Sequence, residues 1–360
     1  MLIFSTLKII AILAFLVFAL LGYLFYLAAR HGWMRNGYFR IPSVILIVLG
    51  LFVAFQAIGN GITFAVIGLH IEAHPVAALS INGLSEIVVM LLGAGVIAYG
   101  SGQDLRAVFR LEGIRETKVF AYVLAIPIIL AAQFAGGALS AIWERLLKFF
   151  PDLYQLLNQY ETASDKTMQG LVTATGPIDL ALILLFVAIV PALAEETLFR
   201  GFAQTNIERS GKWHARPITA LLVASFLFAL VHASVFKLPG LFLLGLTIGW
   251  MTYRTNNLFV GGIGHAINNG FIVAALYLSP SISSNANSGI IGTEDLSATQ
   301  ALAMLVIILP IFAVLLFLFM RASASVTARG NAEREVHAMI WKTVQPEGFA
   351  PHHFDDTDIL

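Results

Sequence analysis

The chain contains no cysteine in 360 residues. Disulfides, thiolate metal sites and cysteine nucleophiles are therefore excluded together. Charge is also scarce. Asp, Glu, Lys and Arg make up 12% of the chain, where a soluble domain carries roughly 25%. Lys plus Arg and Asp plus Glu are balanced at 21 each, so no basic excess points to nucleic acid. Several protease signatures are missing: there is no His-Glu-x-x-His and no Gly-x-Gly-Asp, and Gly83-Leu84-Ser85 stands without a serine–histidine context. No internal repeat of the kind many transporters show is visible. Nor is there a short secretory signal core. The apolar run after Lys8 continues to Ala29, which is long enough to be a first transmembrane helix.

What the chain has in quantity is apolar surface: 58% hydrophobic residues and a mean hydropathy of +0.84. Nine apolar runs read as spans: Leu2–Ala29, Ile41–Leu69, Val76–Tyr99, Val119–Ile142, Ile178 to beyond Arg200, Ile218–Phe236, the short Leu241–Tyr253, Leu258–Leu278 and Ala301–Met320. The expected fold is all-α, a polytopic transmembrane helical bundle of eight to nine spans. The loops Arg30–Arg40, Ser101–Lys118 and Arg200–Arg216 are rich in Arg and Lys, whereas Trp143–Gly176 and Ser279–Ser297 carry more acid than base. Basic loops stay in the cytoplasm. This puts the N-terminus outside and the C-terminus inside. Organisation follows: residues 1–117 hold about three N-terminal transmembrane helices, and 118–280 form a core. Residues 281–320 supply an outer loop and the last transmembrane helix, and 321–360 a polar, disordered cytoplasmic tail. Leu146–Tyr160 is an amphipathic piece suited to the membrane face. His352 and His353 are a weak metal pair in the tail.

Chemistry concentrates in Pro191-Ala-Leu-Ala-Glu195-Glu196-Thr-Leu-Phe-Arg200-Gly201. Charges after so long an apolar run must face protein or water, which makes them functional-site candidates. Glu196 and Arg200 are four apart and can pair along a helix. Glu195, about 100° around the helix, is left without a local cation. Two further polar signals lie in apolar runs: Phe228-Ala-Leu-Val-His232, and His265-Ala-Ile-Asn268-Asn269 just after Gly261, Gly262 and Gly264. His265 and Asn269 share one helix face. Depth tests whether these groups can meet. At 1.5 Å per residue, His232 lies about 24 Å from Arg216 and His265 about 15 Å from Arg254. Glu195 reaches the same level only if its helix runs on to Arg209, about 20 Å beyond it. A long fifth helix, tilted or kinked at Pro191, is therefore expected.

Such a group of residues suits hydrolysis. Glu195 can act as general base on a water, and His232 can hold that water or protonate the leaving amine. His265 and Asn269 can donate to an oxyanion. Equally, Glu195, His232 and His265 can bind Zn²⁺ and acidify the water through the metal. The structural alternative is that each histidine merely packs and that Glu196–Arg200 is chiefly a structural ion pair. Gln56, Asn60, Ser80, Asn82, Glu86 and Gln133 read as interhelical hydrogen-bonding groups.

Taken in order on successive membrane helices, Glu195-Glu196-Thr-Leu-Phe-Arg200, Phe228-Ala-Leu-Val-His232 and His265-Ala-Ile-Asn-Asn269 resemble the motifs of the CPBP intramembrane proteases. That family comprises the type II CAAX prenyl endopeptidases and the bacteriocin-processing and self-immunity proteins. The resemblance covers roughly Val119–Leu278, most firmly Pro191–Gly270. It implies an all-helical membrane fold with the active site in an intramembrane cavity. It also implies Glu195 and His232 as water activators, His265 and Asn269 as oxyanion stabilisers, and Glu196 and Arg200 in support. Zinc is the one cofactor the motifs leave open. The implied partners are a peptide or membrane-protein substrate, lipidated or not, and membrane lipid. Compact arginine-rich loops and the lack of cysteine suit a bacterial inner membrane. Two readings of other classes compete: a non-catalytic immunity or scaffold protein, and a small transporter with Glu195 and Glu196 as a proton relay.

Overall fold

Prolines set most of the helix starts. Pro42, Pro75, Pro151, Pro177 and Pro239 each occupy the first or second position of a helix, where a missing N–H costs nothing and the fixed φ is already helical. A computed structural model describes residues 23–35, 37–68, 71–174, 176–210, 216–278, 296–324 and 326. Its main helices are α1 (Ile41–Ile67), α2 (Pro75–Gly100), α3 (Val119–Leu147), α4 (Pro151–Val172), α5 (Pro177–Ser210), α6 (Arg216–Val231), α7 (Leu238–Thr255), α8 (Leu258–Leu278) and α9 (Ala298–Ala322). A two-residue antiparallel pair, β1 (Met34–Arg35) and β2 (Tyr38–Phe39), precedes α1.

Six of these helices, α1, α2, α3, α5, α8 and α9, are long and apolar enough to cross a membrane, and α6 is a shorter apolar helix. The chain is an integral membrane protein with an all-helical, polytopic fold. Most of the expected first span, the loop 279–295 and the tail with His352 and His353 lie outside the described residues.

Two boundaries differ from the sequence reading. The amphipathic piece expected over Leu146–Tyr160 is divided: α3 ends at Leu147 and α4 starts afresh at Pro151, running to Val172. A proline cannot continue a helix without losing a bond and clashing with the preceding turn. The sixth helix stops at Val231 instead of reaching Phe236, because Ala233 takes a left-handed conformation at φ 53° and turns the chain.

The two sets of loops make separate groups of contacts. In the basic set Arg110 pairs with Glu208 at 2.6 Å, Arg209 donates to the Tyr38 hydroxyl at 2.8 Å, and Gln103 donates to Asn206 at 2.7 Å. The α3–α4 region instead meets the α6–α7 turn. There Trp143 donates to the Val235 carbonyl at 2.9 Å and Ser234 to Glu161 at 2.6 Å.

Helix α3 lies against α7, α8 and α9, and small residues set the closest approach. A Cβ on Gly136 of α3 would stand 2.9 Å from the Gly240 Cα of α7; one on Gly240 would stand 2.8 Å from the Gly136 carbonyl oxygen. Backbones this close are the usual benefit of small residues in membrane helices. Gly136→Leu is expected to lower stability by about 1–3 kcal/mol in thermal unfolding in detergent. Gly262→Ala, which meets nothing within 4 Å, is expected to leave the melting temperature unchanged.

Candidate active site

At 34 residues, α5 is about 51 Å long, and it carries Glu195, Glu196 and Arg200 well inside the bundle. It does not stop at Arg200; the long fifth helix that the depth argument required is present. Its winding is uneven. Leu184–Ile189 and Thr197–Gln204 are π-helical, on either side of the glutamates, and a third π segment, Ile87–Leu92, follows Glu86 in α2. Such wide turns release backbone groups and recur at functional sites.

Glu196 and Arg200 pair at 2.9 Å with side chains 1% exposed each. The same carboxylate oxygen accepts from His265 Nδ1 at 2.9 Å. Arg200 also donates to the Gly245 carbonyl at 3.3 Å and stacks over Phe228, its guanidinium carbon 4.3 Å from the ring centroid. Three helices thus reach α5 through one ion pair. The glycines make room. A Cβ on Gly245 would meet Ser225 Cβ at 3.1 Å, and one on Gly261 would meet Ile248 Cγ2 at 2.9 Å and Glu196 Oε2 at 3.5 Å. One turn along α7, the Gly249 carbonyl accepts from Gln204 at 3.1 Å.

Phe228 does more than its place in a motif suggested. Its ring is 4.7 Å from that of His232 and 5.6 Å, edge-on, from that of His265, so one aromatic side chain spaces both imidazoles and the guanidinium. His232 is the first residue past α6. Its Nδ1 lies 2.7 Å from the Phe228 carbonyl, and since a carbonyl only accepts, Nδ1 carries the proton. The imidazole closes the end of its own helix and keeps Nε2 for other partners. His265 is likewise committed through Nδ1.

His232, His265, Asn268 and Asn269 line one cavity of about 330 Å³, together with Gln133 of α3 and Tyr160, Glu161, Asp165 and Gln169 of α4. Lys237 also lines it and bridges Asp165 at 2.7 Å and Glu161 at 3.0 Å. Burial pushes the Asp165 carboxyl up, against the opposing pull of Lys237. Burial lowers the Lys237 ammonium, but the hydrogen bonds and charges of Asp165 and Glu161 outweigh it and hold the group above its ordinary value. Helix α4, which lies inside the expected core 118–280 but before the motif-bearing stretch Pro191–Gly270, therefore forms a wall of the cavity through an ion-pair cluster.

Glu195 stands apart. It is not among the side chains lining the cavity, and its Oε2 is buried without a hydrogen-bond partner. It is within electrostatic reach of Arg200 and of Glu86, a buried residue of α2. Among the described residues no three His, Asp or Glu side chains gather closely enough to hold a metal ion. Glu195, His232 and His265 are not gathered into such a group. Of the other intramembrane polar groups, Asn82 crosses to Thr63 at 3.5 Å. Asn60 bonds Gln56 within α1, and Ser80 bonds the Val76 carbonyl within α2.

A family model described as type II CAAX prenyl endopeptidase Rce1-like matches residues 177–271. No curated protein and no solved structure matches the chain. The matched segment runs from the start of α5 into α8 and includes Glu195, Glu196, Arg200, His232, His265 and Asn269. Helices α1 to α4 and α9 lie outside it.

The Arg200 cluster makes a direct prediction. Arg200→Met leaves the Glu196 carboxylate buried without its cation, which is expected to cost about 3–5 kcal/mol. Arg200→Met combined with Glu196→Gln is expected to cost less, because no lone charge remains. Thermal unfolding of the purified variants in one detergent compares them.

Proposed function

We propose, from the match of residues 177–271 to the type II CAAX prenyl endopeptidase Rce1-like family model, that the chain is an intramembrane endopeptidase. The observation that carries this reading is the meeting of His232, His265 and Asn269 on one cavity wall, beside a buried Glu196–Arg200 pair that fixes His265. These residues come from three different helices or their ends, α5, α6 and α8.

In the proposed reaction a water in the cavity attacks a peptide carbonyl. His232, with Nδ1 held by its own helix, presents Nε2 to that water; it receives at Nε2 the proton that Glu195 has taken from the water and passes it to the leaving amine. Glu195 is the general base. It is the carboxylate of the adjacent pair that neither Arg200 nor His265 claims by hydrogen bond, and a change of its side-chain torsions has to carry it onto the cavity wall. His265, oriented by Glu196, and Asn269 beside it donate to the oxyanion. Stabilising charge that develops inside a dry cavity is where most of the rate gain of such a site resides. The substrate class is a peptide or a membrane-protein segment, lipidated or not. The bundle is read as eight to nine spans in a bacterial inner membrane, N-terminus outside and C-terminus in the cytoplasm. Its core is 118–280.

One observation favours a second reading. Glu195 lies off the cavity, beside Glu86, which is what a non-catalytic immunity or scaffold protein would tolerate. The experiment is to purify wild type, Glu195→Gln and His232→Ala in detergent. Each is incubated with a peptide library that includes prenylated CAAX peptides, with and without a chelator. Wild type is expected to cleave and both variants to lose about 10²–10⁴-fold in rate while melting as wild type does. Equal cleavage by Glu195→Gln removes Glu195 from the mechanism. A cellular phenotype that survives both substitutions supports the binding-only protein.

A further inference from the structure

Helix α5 carries a proline, Pro191, just after its first π-helical segment. In an α-helix the carbonyl of Val187 would accept from the N–H of residue 191, and proline has none. The wide turn that closes the segment is bonded from the Val190 N–H to the Leu185 carbonyl, two positions before Val187. A carbonyl freed inside a membrane protein must find another donor, because lipid offers none. Here the donor comes from another helix: Asn269 Nδ2 of α8 gives a hydrogen bond to the Val187 carbonyl at 3.2 Å.

The orientation of the Asn269 amide is fixed from both sides. Its nitrogen faces a carbonyl, and its oxygen accepts from Asn268 Nδ2 at 3.3 Å. One of its two N–H groups is therefore spent on α5. His265 precedes Asn269 by one turn on the same face, and its Nδ1 bonds Glu196, also of α5. Two bonds one turn apart thus pin α8 to α5, at Val187 and at Glu196.

We propose that Asn269 is a positioning residue: it replaces the backbone donor that Pro191 removes, and by fixing the rotation of α8 it seats His265 against Glu196. Pro191 is then part of the same device, since it creates the acceptor. The chief work of Asn269 is done through His265, and its direct donation to an oxyanion is secondary. The stability arm below stands alone, and only the cleavage arm rests on the protease reading.

The test is a double-mutant cycle of Asn269→Ala and Pro191→Ala, in which the alanine in place of Pro191 brings back the N–H. In wild type, Asn269→Ala strands the Val187 carbonyl and is expected to lower both the melting temperature and kcat. In the Pro191→Ala background the same substitution is expected to cost at least tenfold less in kcat and to leave the melting temperature nearly unchanged. Asn269→Gln, which keeps the amide, is expected to fall between wild type and Asn269→Ala. An equal loss of kcat in both backgrounds, with KM unchanged, overturns the proposal and makes Asn269 an oxyanion donor. Additive melting temperatures, measured in Glu195→Gln protein so that proteolysis plays no part, overturn it as well. If wild type cleaves nothing, the protease reading fails while the melting cycle still decides the role of Asn269. Should Pro191→Ala prove unstable, Pro191→Ser restores the same N–H.

Discussion

The interior of this protein is organised around a guanidinium that has no access to solvent. Arg200 is fully buried, and an unpaired charge in such a place is among the most expensive features a fold can contain. Its five donors in a planar fork have to be met from several directions. Glu196 meets one from the same helix, the Gly245 carbonyl meets another from α7, and the Phe228 face covers the cation from α6. Because Glu196 Oε1 is shared with His265, α8 is bound into the same arrangement. The glycines of α7 and α8 follow from this: a side chain at Gly245 or Gly261 would push away the helices that have to satisfy the charge.

This commitment separates two adjacent glutamates that are chemically identical. Glu196 is taken up by Arg200 and His265, so it can orient an imidazole but cannot readily accept a proton from a water without disturbing the cluster. Glu195, a step around the helix, feels the Arg200 charge without a hydrogen bond to it. It also feels the carboxylate of Glu86 from α2. Two carboxylates in apolar surroundings repel each other, and one is relieved if the other moves or gains a proton. The helices outside the family match are therefore not inert scaffolding. α2 supplies a buried carboxylate within electrostatic reach of Glu195.

Much of this was legible in the sequence wherever local geometry determines it. The Glu196–Arg200 pair follows from a spacing of four, and the length of α5 follows from requiring three polar sites at one depth. What could not be read depends on backbone groups. That His232 leaves α6 and caps it with its own imidazole is the consequence of a left-handed Ala233, a conformation that alanine gives no sign of. That Gly245 and Gly249 serve as acceptors for Arg200 and Gln204 is hidden, because a GxxxG pattern announces close approach and not what approaches. The division at Pro151 was readable from the proline and was obscured by the continuous amphipathic pattern on both sides of it. Glu195 was expected beside His232, and helical spacing within α5 could not say which way that side chain would turn once α2 was packed against it.

The two π segments of α5 explain how a single helix can hold the whole assembly. Each lies beside a carbonyl that also accepts from another part of the chain. In the first, Val187 is met by Asn269 of α8. In the second, the Arg200 carbonyl accepts from Arg110 Nε at 3.3 Å and from Thr205 Oγ1 at 3.4 Å. Arg110 belongs to the loop between α2 and α3, is itself buried, and is anchored by Glu208 near the end of α5. A regular helix of the same length would present side chains only. α5 offers main-chain acceptors as well, one toward the candidate catalytic wall and one toward the basic loops.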